Sequence, residues 1–85
     1  MRAVMIGNIV YSKAGRDKGC FMAVVGEKDG FMLVCDGRQR PVDRPKRKNI
    51  KHLSFTSAIL CKEQLSTNRL LKKALDAYKA DKEEK

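Results

Sequence analysis

The chain has 85 residues, of which 42% are hydrophobic and 34% are charged, and its formal net charge at pH 7 is +9. This length limits the protein to one domain with a small core, since so short a chain buries only about 60% of the surface that its unfolded form exposes. The hydrophobic fraction argues against disorder throughout the chain, and the charge favours polyanionic partners, namely nucleic acid or an acidic membrane surface.

The first half of the chain predicts three consecutive antiparallel strands, at residues 9–11, 20–25 and 31–35. The second and third strands are separated by Glu-Lys-Asp-Gly at residues 27–30. The Asp-Gly pair supplies the positive φ angles that a tight hairpin turn requires. Both of these strands are apolar on two faces, so one face is expected to fill the core while another element covers the other face.

A cationic loop separates the first two predicted strands. Two hinge glycines, three cations and one acid make up most of it: Lys13, Gly15, Arg16, Asp17, Lys18 and Gly19. Backbone N–H groups and cations in such a loop can contact phosphates. The spacing also allows a simple bulged turn that its lysines keep soluble, because the phosphate-loop patterns GxxxxGK[ST] and GxGxxG are both absent.

Most of the excess positive charge lies in residues 38–53, which contain seven cations and one acid and so carry +6 of the total. Pro41 and Pro45 exclude a central strand at residues 40–46, because neither has an N–H group to donate, and an extended loop or an edge is expected there. Strand character returns at residues 48–53, where Ile50 and Leu53 are expected to point inward. Residues 55–60 predict either a last short strand or a helical turn.

The residues from Asn68 onward predict an amphipathic helix that covers the sheet. Its apolar stripe consists of Leu70, Leu71, Ala74, Leu75 and Tyr78. Ser66 or Thr67 is the expected N-cap, and the charged residues 80–85, which lack a stop glycine, are expected to fray. A membrane-bound helix is disfavoured because the stripe lacks Trp and Phe and the polar face carries acids.

The thiol and imidazole side chains do not form a catalytic or metal pattern. Cys20, Cys35 and Cys61 include no C-x-x-C pair, so we expect reduced thiols without zinc, the first two acting as small hydrophobes inside strands. The one histidine, His52, has no partner at ligand spacing and cannot build a triad alone. We therefore expect no enzymatic activity, no cofactor and no small-molecule substrate.

Residues 7–37 resemble a KOW motif. The resemblance rests on a short first strand, a basic Gly-containing turn, Gly19 at the position of the motif's most constant glycine, an apolar second strand and the Asp-Gly hairpin. The continuation VCDGRQRPVDRPKRKNIKHL is similar to small KOW-domain RNA-binding proteins, bacterial relatives of a large-subunit ribosomal protein of archaea and eukaryotes. The resemblance implies an SH3-like, five-stranded antiparallel barrel at residues 1–60. Residues 61–85 would then be a connector and a C-terminal helix packed on the barrel in the same single domain.

Both the resemblance and the charge distribution lead us to expect RNA binding. The expected contacts come from the two basic segments: Lys13, Arg16, Lys18, Arg38, Arg40, Arg44, Lys46, Arg47 and Lys48. Exposed aromatics are expected to be scarce, with Phe21 and Phe31 in the core, so the backbone of structured RNA is a better ligand than a single strand. We expect a cytoplasmic, monomeric, ribosome-associated protein that binds ribosomal RNA and contacts ribosomal proteins but no membrane.

Two alternatives stay open from the sequence. One is a DNA-binding or transcription-associated KOW module, because phosphate contacts alone do not distinguish DNA from RNA. The other is a protein-binding SH3-like adaptor, although a peptide groove of that kind needs clustered aromatics.

Overall fold

The computed structural model describes residues 5–83 and shows a five-stranded antiparallel sheet with one carboxy-terminal helix. The strands are β1 (Asn8–Ser12), β2 (Phe21–Lys28), β3 (Phe31–Cys35), β4 (Lys46–Asn49) and β5 (Leu53–Ile59). Short 3-10 turns lie at Ile50–His52 and Glu63–Leu65, and helix α1 spans Asn68–Glu83. The strand order across the sheet is β4-β3-β2-β1-β5, so only the β1–β5 neighbours are distant in sequence.

The turn between β2 and β3 confirms the hairpin that the Asp-Gly pair predicted. Asp29 and Gly30 have φ angles of 52° and 83°, and two successive positive values are what a type I′ turn requires. The antiparallel pairing then extends as far as Ala23 opposite Cys35. A local signal of two residues therefore fixes the turn and the pairing next to it, whereas a register shift between Val24 and Gly26 changes the pairing further along the two strands.

The fourth strand begins and ends earlier than the sequence indicated. Residues 40–45 lie outside the strands, in agreement with the loop that the prolines predicted, and β4 starts at Lys46 and lies at the edge of the sheet. The Asn49 side chain then accepts a hydrogen bond of 2.9 Å from the Lys51 N–H and caps the 3-10 turn that replaces the end of the predicted strand. This turn leaves Ile50 39% exposed, so the expected inward orientation of Ile50 is wrong.

The fifth strand resolves the alternative at residues 55–60 in favour of a strand. β5 begins at Leu53, which is buried as expected, and it pairs antiparallel with β1. A register shift interrupts this pairing between Asn8 and Val10, where the Asn8 amide donates to the carbonyl groups of Thr56 and Ala58. The side-chain amide thus satisfies backbone acceptors of β5 at the irregularity.

Two apolar clusters are buried on the two faces of the sheet. One cluster contains side chains from the strands alone: Val10, Met22, Val24, Met32, Val34 and Leu53. In the other, helix residues Leu71 and Leu75 pack against Ile9, Ala23 and Cys35. Successive residues of a strand alternate between the two clusters because their side chains point to opposite faces. The helix therefore covers one face, as the doubly apolar strands predicted.

Helix α1 begins where the sequence predicted. Thr67 is the N-cap, since its Oγ1 accepts a hydrogen bond of 3.1 Å from the Leu70 N–H, whereas the Ser66 hydroxyl donates to a preceding carbonyl. Leu70 is 38% exposed, so its assignment to the apolar stripe is wrong and the stripe is narrower than expected. The helix continues through residue 83 rather than fraying from residue 80. Most of its last residues are good helix formers, which favours this continuation. Residues 84–85 of the expected frayed tail lie outside the described residues.

The three cysteines are free thiols in different environments. Burial, with a smaller effect of the neighbouring Asp36 carboxylate, raises the pKa of Cys35 from 9.0 to about 11. Cys20 precedes β2 and is exposed, so its expected place as a small hydrophobe inside a strand is wrong, and Cys61 is exposed too.

Candidate nucleic-acid interface

The loop between β1 and β2 is held at both ends by backbone hydrogen bonds. The Gly19 N–H donates to the Ser12 carbonyl at 2.9 Å, and the Ser12 N–H donates to the Cys20 carbonyl at 3.0 Å. The Lys13 N–H donates to the His52 carbonyl at 2.8 Å, which ties the loop to the turn before β5. The ends of the loop are therefore fixed on the sheet.

The acid of this loop turns inward, away from solvent. Asp17 Oδ1 accepts hydrogen bonds from Lys48 Nζ at 2.6 Å and from Ser12 Oγ at 2.9 Å, and Asp17 Oδ2 lies 3.4 Å from Lys46 Nζ. Burial by itself would raise the pKa of Asp17. The hydrogen bonds from Lys48 and Ser12 and the charges of Lys48 and Lys46 outweigh burial and lower this pKa from 3.8 to about 2. Asp17 is thus a stable carboxylate at neutral pH, and its charge is matched inside the protein.

Lys48 holds the loop and does not face solvent. Its side chain is only 6% exposed, and its ammonium group also donates to the Ala14 carbonyl at 2.6 Å. Gly15 is required beside it, because a Cβ on Gly15 would lie 3.0 Å from Lys48 Nζ and the backbone there has a φ of 88°. Of the nine expected RNA contacts, Lys48 is therefore the one whose charged group the structure buries in an ion pair with Asp17.

The second basic segment, residues 36–45, is anchored on itself and on the helix. Asp36 Oδ1 accepts from the N–H groups of Arg38 and Arg40 at 2.9 and 3.0 Å. The Val42 N–H donates to Asn68 Oδ1 at 2.7 Å, at the start of α1. This anchoring orients the segment relative to the sheet edge and to the helix.

Arg38 points towards the helix and not towards the first loop. Its Nη2 donates to both carboxylate oxygens of Asp76, at 2.8 and 3.0 Å, in an ion pair that is more than half exposed. Such an exposed pair stabilises a protein by at most about 1 kcal/mol. Arg38 therefore belongs to the contact between the segment and α1.

A cleft between the two basic loops brings together part of the predicted set. Arg16 from the first loop, Arg40 from the second loop and Lys46 from β4 line this cleft, together with Gln39 and Asp17. Asp17 forms ion pairs with both Lys48 and Lys46, so its one negative charge is set against two lysines, and the two arginines carry most of the unpaired charge that can attract an anion. Two guanidinium groups and an ammonium group around one concave site match the oxygens of a phosphate.

The remaining predicted residues lie outside this cleft. Lys13 and Lys18 are exposed on the first loop, and Arg44 is exposed on the second. The Arg47 guanidinium lies over the Phe31 ring, 5.7 Å from its centroid. Three of the nine predicted residues therefore line one cleft, and the other six do not line it.

The sequence prediction missed two exposed aromatic rings. Phe31 is 39% exposed, so its expected place in the core is wrong, and Tyr11 is 37% exposed at the base of the first loop. Position provides a signal in both cases, because Tyr11 directly precedes the basic loop and Phe31 directly follows the tight turn. Hydrophobicity alone does not indicate that a ring at the end of a strand stays accessible.

Within residues 5–83, no group of three or more His, Cys, Asp or Glu side chains is placed to hold a metal ion. In the same part of the chain, no helix combines the length and the apolar character needed to cross a membrane. Comparison with known proteins adds no assignment, since no family model matches the chain and no curated protein matches it.

Proposed function

We propose that this protein is a non-catalytic RNA-binding protein that grips the phosphate backbone of structured RNA in the cleft between its two basic loops. The observation that carries this proposal is the meeting of Arg16 and Arg40, which are 24 positions apart in the chain, around one cleft with Lys46. Among the described residues, Asp17 is the one acid that lines this cleft, and it is already paired with Lys48 and Lys46. Ribosomal RNA is the ligand that the resemblance to KOW proteins favours, with ribosomal proteins as neighbours of a cytoplasmic monomer.

The packing of the sheet supports an SH3-like barrel of the KOW type. The cluster built from strands alone has side chains no more than 4% exposed, although α1 contributes none of them. A flat sheet would leave such a face open to water, and open apolar surface loses roughly 25 cal/mol per Å² of burial. Curling of the five strands around this cluster is the arrangement that hides it, and it holds the two loops at one end as a rigid pair.

Binding of an RNA hairpin, measured at several salt concentrations, tests the proposal. If about three cations contact phosphates, the logarithm of the affinity should fall with the logarithm of the salt concentration with a slope of roughly 2 to 3. In the double variant Arg16→Glu/Arg40→Glu, the slope should fall and the affinity should drop at least about tenfold, because each substitution removes a phosphate contact and adds repulsion. A DNA hairpin of the same sequence tests the alternative of a DNA-binding module.

The matched control is Arg69→Glu/Lys73→Glu on the exposed surface of α1. Both double variants lower the net charge by four units, so a difference between them isolates position from total charge. Equal losses would mean that affinity follows net charge and that the cleft has no special role. If neither variant loses affinity while circular dichroism shows a native fold, the proposal of RNA binding at this cleft fails.

A third variant separates charge from geometry. Arg16→Lys/Arg40→Lys keeps the net charge but replaces two planar, two-pronged donors by point charges. An affinity between those of the unmodified protein and the charge-reversal variant is expected, with an unchanged salt slope. This result would identify paired hydrogen bonds to phosphate as part of the contact.

A further inference from the structure

Tyr11 is an exposed aromatic ring at the base of the cationic loop. It lies on β1 beside Ser12, whose side chain is buried and points to the ion pair of Asp17, so Tyr11 projects from the opposite face of the strand. The loop that begins at Lys13 therefore carries exposed cations, contributes Arg16 to the cleft and has an aromatic ring at its base.

The ring is held in place by two further aromatic side chains. The Tyr11 and Phe21 ring centroids lie 5.2 Å apart with an interplanar angle of 62°, and Phe21 and Tyr78 of α1 lie 5.2 Å apart at 78°. Edge-to-face contacts of this kind add to the burial of the rings and fix their orientation. A ligand that stacks on Tyr11 meets a surface that is already ordered.

Gly19 leaves this surface uncovered where the loop closes. Its φ of 90° suits glycine, and a Cβ at this position would have the Tyr11 hydroxyl oxygen as its nearest neighbour, at 3.7 Å. A side chain at residue 19 would therefore begin in van der Waals contact with the hydroxyl end of the ring. Gly19, at the end of the basic loop, thus places no side chain beside the exposed Tyr11.

We propose that Tyr11 stacks on an unpaired base of the same RNA whose phosphates bind in the cleft. This inference rests on the proposed function and narrows its ligand to structured RNA with a bulged or looped-out nucleotide. Aromatic rings stack on any base, because every base has a π face, and the exposed cations Lys13 and Lys18 on the same loop suit the connecting backbone. A fully paired helix has no free base to offer, so it uses only the phosphate contacts.

The test compares two RNA hairpins of the same sequence, one fully paired and one with a single bulged 2-aminopurine. We expect Tyr11→Leu to weaken binding of the bulged hairpin by roughly 5- to 150-fold, the range that stacking of one base corresponds to. The same variant should bind the paired hairpin as the unmodified protein does. Tyr11→Phe keeps the ring and should retain affinity for the bulged hairpin.

Phe31→Leu is the matched control, since Phe31 is 39% exposed where Tyr11 is 37% exposed and lies outside the loop. It should change the affinity for neither hairpin. Fluorescence gives an independent readout, because stacking on a tyrosine ring quenches 2-aminopurine, and the unmodified protein and Tyr11→Phe should both quench it on binding. This readout does not depend on whether Tyr11→Leu folds.

Failure of the stacking inference differs from failure of RNA binding. If Arg16→Glu/Arg40→Glu weakens both hairpins while Tyr11→Leu weakens neither, stacking is overturned and phosphate binding stands. Unquenched 2-aminopurine in the bound complex, or equal losses from Tyr11→Leu and Phe31→Leu, also overturns it. If the unmodified protein binds neither hairpin, the proposed function and this inference fall together.

Discussion

The buried ion pair of Asp17 and Lys48 allows a quantitative test of how the first basic loop is held. The two charged atoms are 2.6 Å apart, and both side chains are less than a tenth exposed. A fall of the Asp17 pKa from 3.8 to about 2 corresponds to about 2 kcal/mol of interaction in favour of the carboxylate. Lys48→Met leaves that carboxylate buried with weaker partners, and loss of one member of a buried pair typically destabilises a protein by about 3 to 5 kcal/mol. We expect about 3 kcal/mol, because Ser12 and Lys46 still contact Asp17.

A double-mutant cycle in urea at pH 7, followed by far-ultraviolet circular dichroism, measures the coupling. Asp17→Asn should also lose about 3 kcal/mol, because it leaves the Lys48 ammonium buried. The double variant Asp17→Asn/Lys48→Met buries no charge and should lose at least about 2 kcal/mol less than the sum of the two single variants. A domain of this size has a total stability of roughly 4 to 13 kcal/mol, so a single variant that is unfolded beside a folded double variant also demonstrates the coupling. Strictly additive losses would refute the argument.

The remaining predictions concern acid stability, the helix and one tight contact. Because the folded-state pKa of Asp17 lies below its ordinary value, the ionised Asp17 side chain stabilises the fold fully above about pH 4, and this contribution is lost as the pH falls towards 2. The urea midpoint, measured between pH 2 and 6, should fall accordingly at low pH, and Asp17→Asn should reduce this pH dependence. Leu71→Ala should lower the free energy of unfolding by about 2 to 5 kcal/mol, because Leu71 is fully buried. Leu70→Ala should lower it much less, because Leu70 is 38% exposed, and the melting temperatures of the two variants should differ in the same order. In urea unfolding, Gly37→Ala should lower the free energy of unfolding more than Gly30→Ala. Both glycines have positive φ, but only a Cβ on Gly37 would lie 2.5 Å from a helix carbonyl oxygen. Equal losses of stability in the two variants would contradict that contact.

Local signals predicted the elements whose cause is local. The positive φ angles of the turn at Asp29 depend on two adjacent residues, and the helix start depends on a hydroxyl at Thr67 and an apolar period close to 3.6 residues. The loop before β4 follows from the prolines, because Pro45 has no N–H group to donate to a neighbouring strand. In each case the interaction that determines the structure involves only a few neighbouring residues, so it can be predicted from the local sequence.

The errors concern residues whose environment depends on distant parts of the chain. Lys48 is buried because it meets Asp17, 31 positions earlier, and nothing in the run Lys46–Asn49 distinguishes the lysine that points inward from its neighbours. Leu70 and Leu71 are adjacent in an apolar stripe, but the line of contact with the sheet excludes the first of them. The error at Phe31 has a local cause instead, because the directly preceding tight turn places the ring at the accessible end of its strand.

An acid in a loop that we propose to bind phosphate would by itself repel the ligand, but the geometry gives Asp17 a role consistent with the proposal. Without it, the ammonium groups of Lys46 and Lys48 and the charge of Arg16 would repel one another around the same cleft. With it, Lys48 is neutralised in the interior and fixes the loop through Ala14 and Asp17, Lys46 is held beside the same carboxylate, and Arg16 stays available to solvent and ligand. Ordering a flexible side chain at an interface opposes binding by about 0.5 to 1.5 kcal/mol, and a loop fixed during folding avoids part of this loss when the RNA arrives. Under the proposed function, Asp17 supports phosphate binding by holding the loop, and Asp17→Asn should weaken the affinity for the RNA hairpin even though the net charge becomes more positive.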